Sequence, residues 1–178
     1  MPEYADIYVL GRKRSLDAII GFLDHFLPSR CESADDYEVP QYANLPRIVF
    51  KTADELIAYC CQNPKETHAI YWQSETRDEH AMVFFLKDGG LIFGISTPAD
   101  NHSKVDAVAD DLGRFFATDE VIVTYEDLPP GSVDDFRSFF AHLPGIEDAV
   151  SAEAARRTRA HRPIKIQLSG ASTSRHGS

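Results

Sequence analysis

Between residues 68 and 96 three apolar runs follow one another closely. Residues 68–74, 81–86 and 91–96 are rich in Ile, Val, Phe and other aromatics, the composition of β-strands. The first two are separated by a charged stretch, 75–80, and the last two by Asp88-Gly89-Gly90. Glycine accepts the positive φ that a tight hairpin turn needs. Links this short join antiparallel neighbours, because a parallel crossover takes about a dozen residues or more. The centre of the chain therefore predicts a three-strand antiparallel meander.

Helix and strand signals alternate around that centre. Residues 6–10 read as a strand stopped by Gly11 and followed by the basic turn Arg12-Lys13-Arg14. Ser15 is an expected N-cap for a helix with Leu16, Ile19, Ile20, Leu23, Phe26 and Leu27 on one face, ended by Pro28. Residues 47–51 predict a second strand. Thr52 and Glu55 then have the spacing of a capping box. The helix after it buries Leu56, Ile57, Tyr59 and either Cys60 or Cys61. Ser103 is the expected cap of a third helix, whose stripe runs through Val105, Val108, Ala109, Leu112, Phe115 and Phe116. Residues 121–125 predict a strand, and Ser132 caps a last helix with Val133, Phe136, Phe139, Phe140 and Leu143 inward.

The order β-α-β-α-β-β-β-α-β-α predicts an α+β fold. Its central sheet is antiparallel or mixed, with helices packed mainly on one face. Residues 28–46 hold Pro28, Pro40 and Pro46 and predict a long irregular segment, a kind that is often functional. Tyr37, Val39 and Tyr42 tie it to the body.

Charge divides the chain unevenly. Residues 1–150 carry 27 acids against 12 bases, whereas 151–178 carry one acid, Glu153, against six bases. The expected organisation is a single acidic α+β domain over 1–150. A basic extension over 151–168 follows, helical near 149–160 and then an edge strand, with a disordered tail at 169–178. An excess of 15 acids is well above the roughly 2–8 charges that serve solubility. Such a field repels nucleic acid and anionic membrane and attracts basic proteins. Adaptation of the whole surface to salt is the other account of such acidity. The Arg156-Arg157-x-Arg159 run is short and lacks interleaved aromatics, so it predicts solvation or docking on the acidic body.

No apolar stretch approaches the roughly 18 residues of a membrane span. The first residues lack the basic and apolar regions of a signal peptide, and three irregularly spaced cysteines are no disulfide framework. A cytoplasmic location is expected. Gly89-Gly90 does not open a helix, so no phosphate loop is present. No G-x-S-x-G, H-E-x-x-H or C-x-x-C pattern occurs. No cofactor and no metal is expected.

The enzyme-like cluster is Glu75, Asp78, Glu79 and His80, whose carboxylates and imidazole are metal-ligating types. A solvated loop is the plainer reading, since metal sites also draw ligands from rigid strands. His25, His68 and His102 read as helix- and strand-end residues, and a pairing of Cys31 with any of them is a spatial matter.

Residues 48–56 (Ile-Val-Phe-Lys-Thr-Ala-Asp-Glu-Leu), 69–72 (Ala-Ile-Tyr-Trp) and 83–96 (Val-Phe-Phe-Leu-Lys-Asp-Gly-Gly-Leu-Ile-Phe-Gly-Ile-Ser) resemble the small α+β immunity proteins of bacterial polymorphic-toxin and contact-dependent inhibition systems. The likeness covers about half the chain and extends to size and acidity. It implies a non-enzymatic protein that binds and neutralises a toxin domain, and it transfers no defined functional residues. The expected partner is a basic protein, such as a nuclease toxin domain. Asp35, Asp36, Glu38 and Tyr42, together with Glu75, Asp78 and Glu79, form the expected partner-binding face, in which an aromatic among acids serves as anchor. Two alternatives stay open. One is a metal-assisted hydrolase or transferase using His80 and neighbouring acids. The other is a small-molecule-binding regulatory module.

Overall fold

A computed structural model describes residues 3–76 and 78–141, and the backbone of 164–167. The elements in chain order are β1 (Tyr4–Gly11), α1 (Leu16–Phe26), β2 (Arg30–Glu32), β3 (Tyr37–Val39), β4 (Ile48–Phe50), α2 (Ala53–Gln62), β5 (His68–Ser74), β6 (His80–Phe85), β7 (Leu91–Pro98), α3 (His102–Phe116), β8 (Glu120–Thr124), α4 (Val133–Ala141) and β9 (Ile164–Gln167). Seven strands form one sheet in the order β2-β5-β6-β7-β1-β8-β9, and β3 pairs with β4 in a separate ribbon. Among the described residues only the β8–β9 pair is parallel. The fold is α+β with a mixed, mostly antiparallel sheet, as the sequence predicts.

The buried centre of the sheet is β6 and β7, which lie between β5 and β1. They read as nearly continuous apolar runs because both of their faces are covered. β5, nearer the edge, alternates: His68, Ile70 and Trp72 are buried while Ala69 and Tyr71 are half-buried. On one face of the sheet Ile19, Phe22 and Leu23 of α1, Leu56, Ile57 and Cys60 of α2, and Val105, Ala109 and Leu112 of α3 pack together. They meet Ile7, Val9, Val83, Phe93, Ile95 and Val123. Phe22 lies against Phe93 with ring centroids 4.9 Å apart. Burying each such side chain contributes roughly 1.5–3 kcal/mol. On the other face Tyr8, Met82, Phe84, Ile92 and Ile122 meet Phe136 and Phe140 of α4, with Val133 and Phe139 of the same helix packed at the margin.

Local capping follows the sequence in part. The Thr52 hydroxyl accepts the Glu55 N–H at 3.3 Å, while the Glu55 carboxylate accepts from the N–H of Lys51. Ser132 accepts the Asp135 N–H at 3.1 Å. Ser15 stands at the N-cap in an extended conformation, without a side-chain cap bond. α3 departs from expectation. Its cap is Asn101, whose side chain accepts the Lys104 N–H at 3.1 Å, and not Ser103. Both residue types cap well, and the one whose oxygen meets a free N–H decides the start.

The segment 28–46 also differs from the irregular stretch expected of it. It contains β2 and β3, three residues each, too short to show a period of two. Their partners, β5 and β4, are supplied by tertiary contact. The helix expected near 149–160, Leu143 and the tail at 169–178 lie outside the described residues.

Candidate functional site

Past β2 the chain runs on along the exposed edge of β5 and fastens itself there. Ser33 N–H donates to the Tyr71 carbonyl at 3.0 Å. The Gln41 side chain then imitates a strand: its amide donates to Ala69 O at 3.1 Å and its carbonyl accepts Ala69 N–H at 2.9 Å. Tyr37 and Val39 are buried on either side of Glu38. Val39–Pro40 is a cis peptide bond. Arg47 N–H to Val39 O at 2.8 Å, and Ala43 N–H to Pro40 O at 3.2 Å, tie the loop 40–47 back on itself.

Tyr42 and Leu45 project from this fastened loop, 83% and 90% exposed. Tyr42 holds a φ of 62°, a left-handed conformation that costs a bulky residue roughly 1–3 kcal/mol. Asp35 and Asp36 are exposed and Glu38 is half-buried beside it. A cleft of about 380 Å³ opens between Asp36, Glu38, Tyr42, His68 and Tyr71.

His68 closes the base of that cleft. It is 6% exposed, and its two ring nitrogens lie 3.0 Å from the carbonyl oxygens of Ala69 and Glu38. Burial pushes its imidazole below the ordinary histidine range, against the opposing effect of the two carbonyls. A neutral ring donates to only one of them. His68 is therefore a structural tie between β5 and β3 rather than a free base.

The second acidic group lies elsewhere along the same edge. Glu75 and Asp78 are exposed in the turn after β5, at the far end of that strand from His68, with Glu75 seven positions and so roughly 20 Å along it. Glu79 is drawn to Lys104 of α3 at 2.8 Å, and Asp36 to Lys51 at 2.6 Å. Exposed pairs of this kind contribute little and exchange readily. The seven predicted partner-binding residues thus form two patches on the β2/β5 side of the sheet. Asp35, Asp36, Glu38 and Tyr42 come together, and Glu75, Asp78 and Glu79 stand apart from them.

The cluster around His80 is rearranged relative to expectation. Neighbouring residues of a strand face opposite ways, and Glu79 is held on the side of α3. His80 joins a polar row on the α4 side, in which register aligns Cys31, Gln73, His80, Ser96, Asp6 and Thr124 across six strands. The Tyr4 ring packs edge-on against His80 at 5.7 Å. Asp6 accepts from the Ser96 hydroxyl and the Glu126 N–H. Burial pushes its carboxyl above the ordinary range and the Glu126 charge adds to this, while the two hydrogen bonds and His80 oppose it. Among the described residues no hydrogen bond joins Ser96 to His80, and no group of three His, Cys, Asp or Glu is placed to hold a metal.

The remaining sequence candidates have ordinary roles. His25 pairs with Asp111 at 3.0 Å and packs edge-on against Phe26 and tilted against Phe115. Cys60 is the buried member of its pair, its thiol pushed up to about 12, chiefly by burial. Cys31 is exposed, with its sulfur 3.7 Å from Gln73 O. Sequence reasoning missed Leu45, Gln41, Asp6 and Ser96. An exposed leucine is common, and the polar row exists only once the strand register is known. No helix among the described residues is long and apolar enough to cross a membrane. Compared with known protein families, curated proteins and solved structures, the chain matches none.

Proposed function

We propose that this protein acts by binding a basic protein domain and blocking it, without chemistry of its own, in the manner of the toxin-neutralising proteins it resembles. One observation carries the reading: Tyr42 and Leu45 stand almost fully exposed on a loop whose backbone is tied down at both ends. Presenting two large apolar side chains on an ordered loop, one in a strained conformation, is costly in an isolated protein. It suits an interface anchor, because a pre-ordered loop loses little entropy on binding. Asp35, Asp36 and Glu38 around it supply the field that steers a basic surface onto those anchors. Glu75, Asp78 and Glu79 act in this reading as a second, steering patch.

The test uses the tagged protein beside its Tyr42→Ser/Leu45→Ser variant, both applied to extracts of the source cells at low and then moderate salt. The expected result is one basic protein retained by the first, released as salt rises, and absent from the variant. The same set of proteins on both overturns the proposal, as does none on either.

A further inference from the structure

At the opposite end of the sheet from the polar row, the three bases of the turn after β1 are sorted by the fold. Arg14 turns inward. Its guanidinium donates to the carbonyls of Cys60, Asn63 and Glu66 at 3.1–3.2 Å, to Gly90 O at 3.4 Å, and to Leu86 O. It also lies 5.1 Å from the centroid of Phe85. One residue thereby ties the C-terminal end of α2 to the turn between β6 and β7. Arg12 and Lys13 are left exposed beside it.

They line a cleft of about 400 Å³ together with Arg137 of α4, Phe116, Asp88 and Glu120. The walls are braced. The Asp88 carboxylate accepts Gly90 N–H at 3.0 Å and Val133 N–H at 2.7 Å, which holds the start of α4 against the turn. A Cβ on Gly90 would lie 2.4 Å from Val133 Cγ2, so the approach is close.

The pairing of cations makes this cleft distinctive. With acids in large excess, a base elsewhere on the body finds a carboxylate: Arg30, Arg47, Lys51, Lys104 and Arg114 each do. Arg12, Lys13 and Arg137 have no ionic partner among the described residues. Lys87 and Lys65, which likewise lack one, are at the same end, as is Arg14, whose guanidinium is taken up by carbonyls instead. Lys87 is in the turn, and Lys65 follows Pro64, whose carbonyl oxygen lies 3.8 Å from the Cβ position of Gly89.

We infer that this cleft is a binding site for a small phosphoryl-bearing anion. Two arginines and a lysine line a volume within the roughly 300–1,000 Å³ of small-molecule sites. Arginine offers a planar fork that matches phosphoryl oxygens in pairs, and lysine adds a compact charge. Phe116, Leu10 and Val133 provide an apolar wall for the body of the ligand. The site is independent of the acidic loop and opposite to it in charge. It survives in a net-negative protein because the field within a cleft is set by the nearest charges.

The probe is inorganic pyrophosphate, titrated into the labelled full chain at constant ionic strength and followed by amide NMR. Saturable shifts are expected at Gly11, Lys13, Gly90 and Val133, with a dissociation constant in the range of about 0.1–10 mM. A tenfold excess over that constant raises the Tm by roughly 3–6 °C. Arg12→Ala/Arg137→Ala weakens binding by at least about tenfold. Glu120→Gln, which removes a like charge from the wall, tightens it severalfold. Shifts that do not saturate, or titrations that coincide in the parent chain and both variants, overturn the assignment.

Discussion

On one face of the sheet α1, α2 and α3 together bury a continuous apolar layer; on the other, α4 is the one helix among the described residues that covers the end near Ile92 and Ile122. Beyond α4's reach that second face gives way to the row of Gln73, His80, Ser96 and Asp6. The strands are the same, so the difference lies in alternate residues of each one. A strand presents two independent sequences, one to each side. Here one of them is given to stability throughout. The other is given to stability at one end and left polar at the other.

The sharpest way to break this comparison is to cut each layer at its centre. Phe22→Ala removes a ring that touches Phe26, Phe93 and Phe116 and has no exposed surface. It is expected to cost about 4–5 kcal/mol in urea unfolding. Phe136→Ala, equally buried but under one helix, is expected to cost about 3 kcal/mol, because α4 can shift inward to close the gap. Equal or reversed losses would show that the thinly covered face is as firmly built as the other.

Gly90→Ala sharpens the same point at the edge of α4. The new methyl meets Val133 and is expected to cost roughly 1–2 kcal/mol. The accompanying rise in amide exchange should be confined to α4 and the turn. Protection lost across α1 and α2 as well would mean that the two layers unfold as one unit.

Asp6→Asn probes the polar end and should have a smaller effect. The folded chain holds the Asp6 proton more tightly than the unfolded chain does, because burial disfavours its charge. Stability from this group is therefore greatest in acid and falls as pH rises above its ordinary value of 3.8. At neutral pH the charged carboxylate weighs against folding. Asparagine still accepts from Ser96 and from Glu126 N–H, so the variant should melt higher than the parent at pH 7 and alike at pH 3. A lower Tm at pH 7 would show that the charge is stabilised there after all. The smallest effect belongs to Tyr42→Ser, within about 0.5 kcal/mol of the parent, since the ring is exposed and its loop is tied by backbone and Gln41 bonds.

Much of the architecture is readable from residue order. Strand-like runs around 70, 83 and 93, and helical stripes through Leu23, Leu56 and Leu112, are strong because each repeats over several turns or pleats. β2 and β3 are not readable, because three residues make no pattern and their partners are distant in the chain. The candidate surface divides the same way. Tyr42 among acids stands out in the sequence, but Leu45 beside it does not, nor does the gap between the two acidic patches.

The amino-acid order alone settled the class of fold, the strong acidity of the body and the elements that bury apolar surface. These depend on composition and on contacts a few residues apart. Only the folded chain decided which side of each strand meets α4, that Arg14 is half-buried and bonded to carbonyls while Arg12 and Lys13 line a cleft, and that His80 faces Asp6 rather than Glu79. Those outcomes depend on strand register and helix placement. Both are fixed by long-range packing, where a shift of a single residue would turn every side chain to the other face.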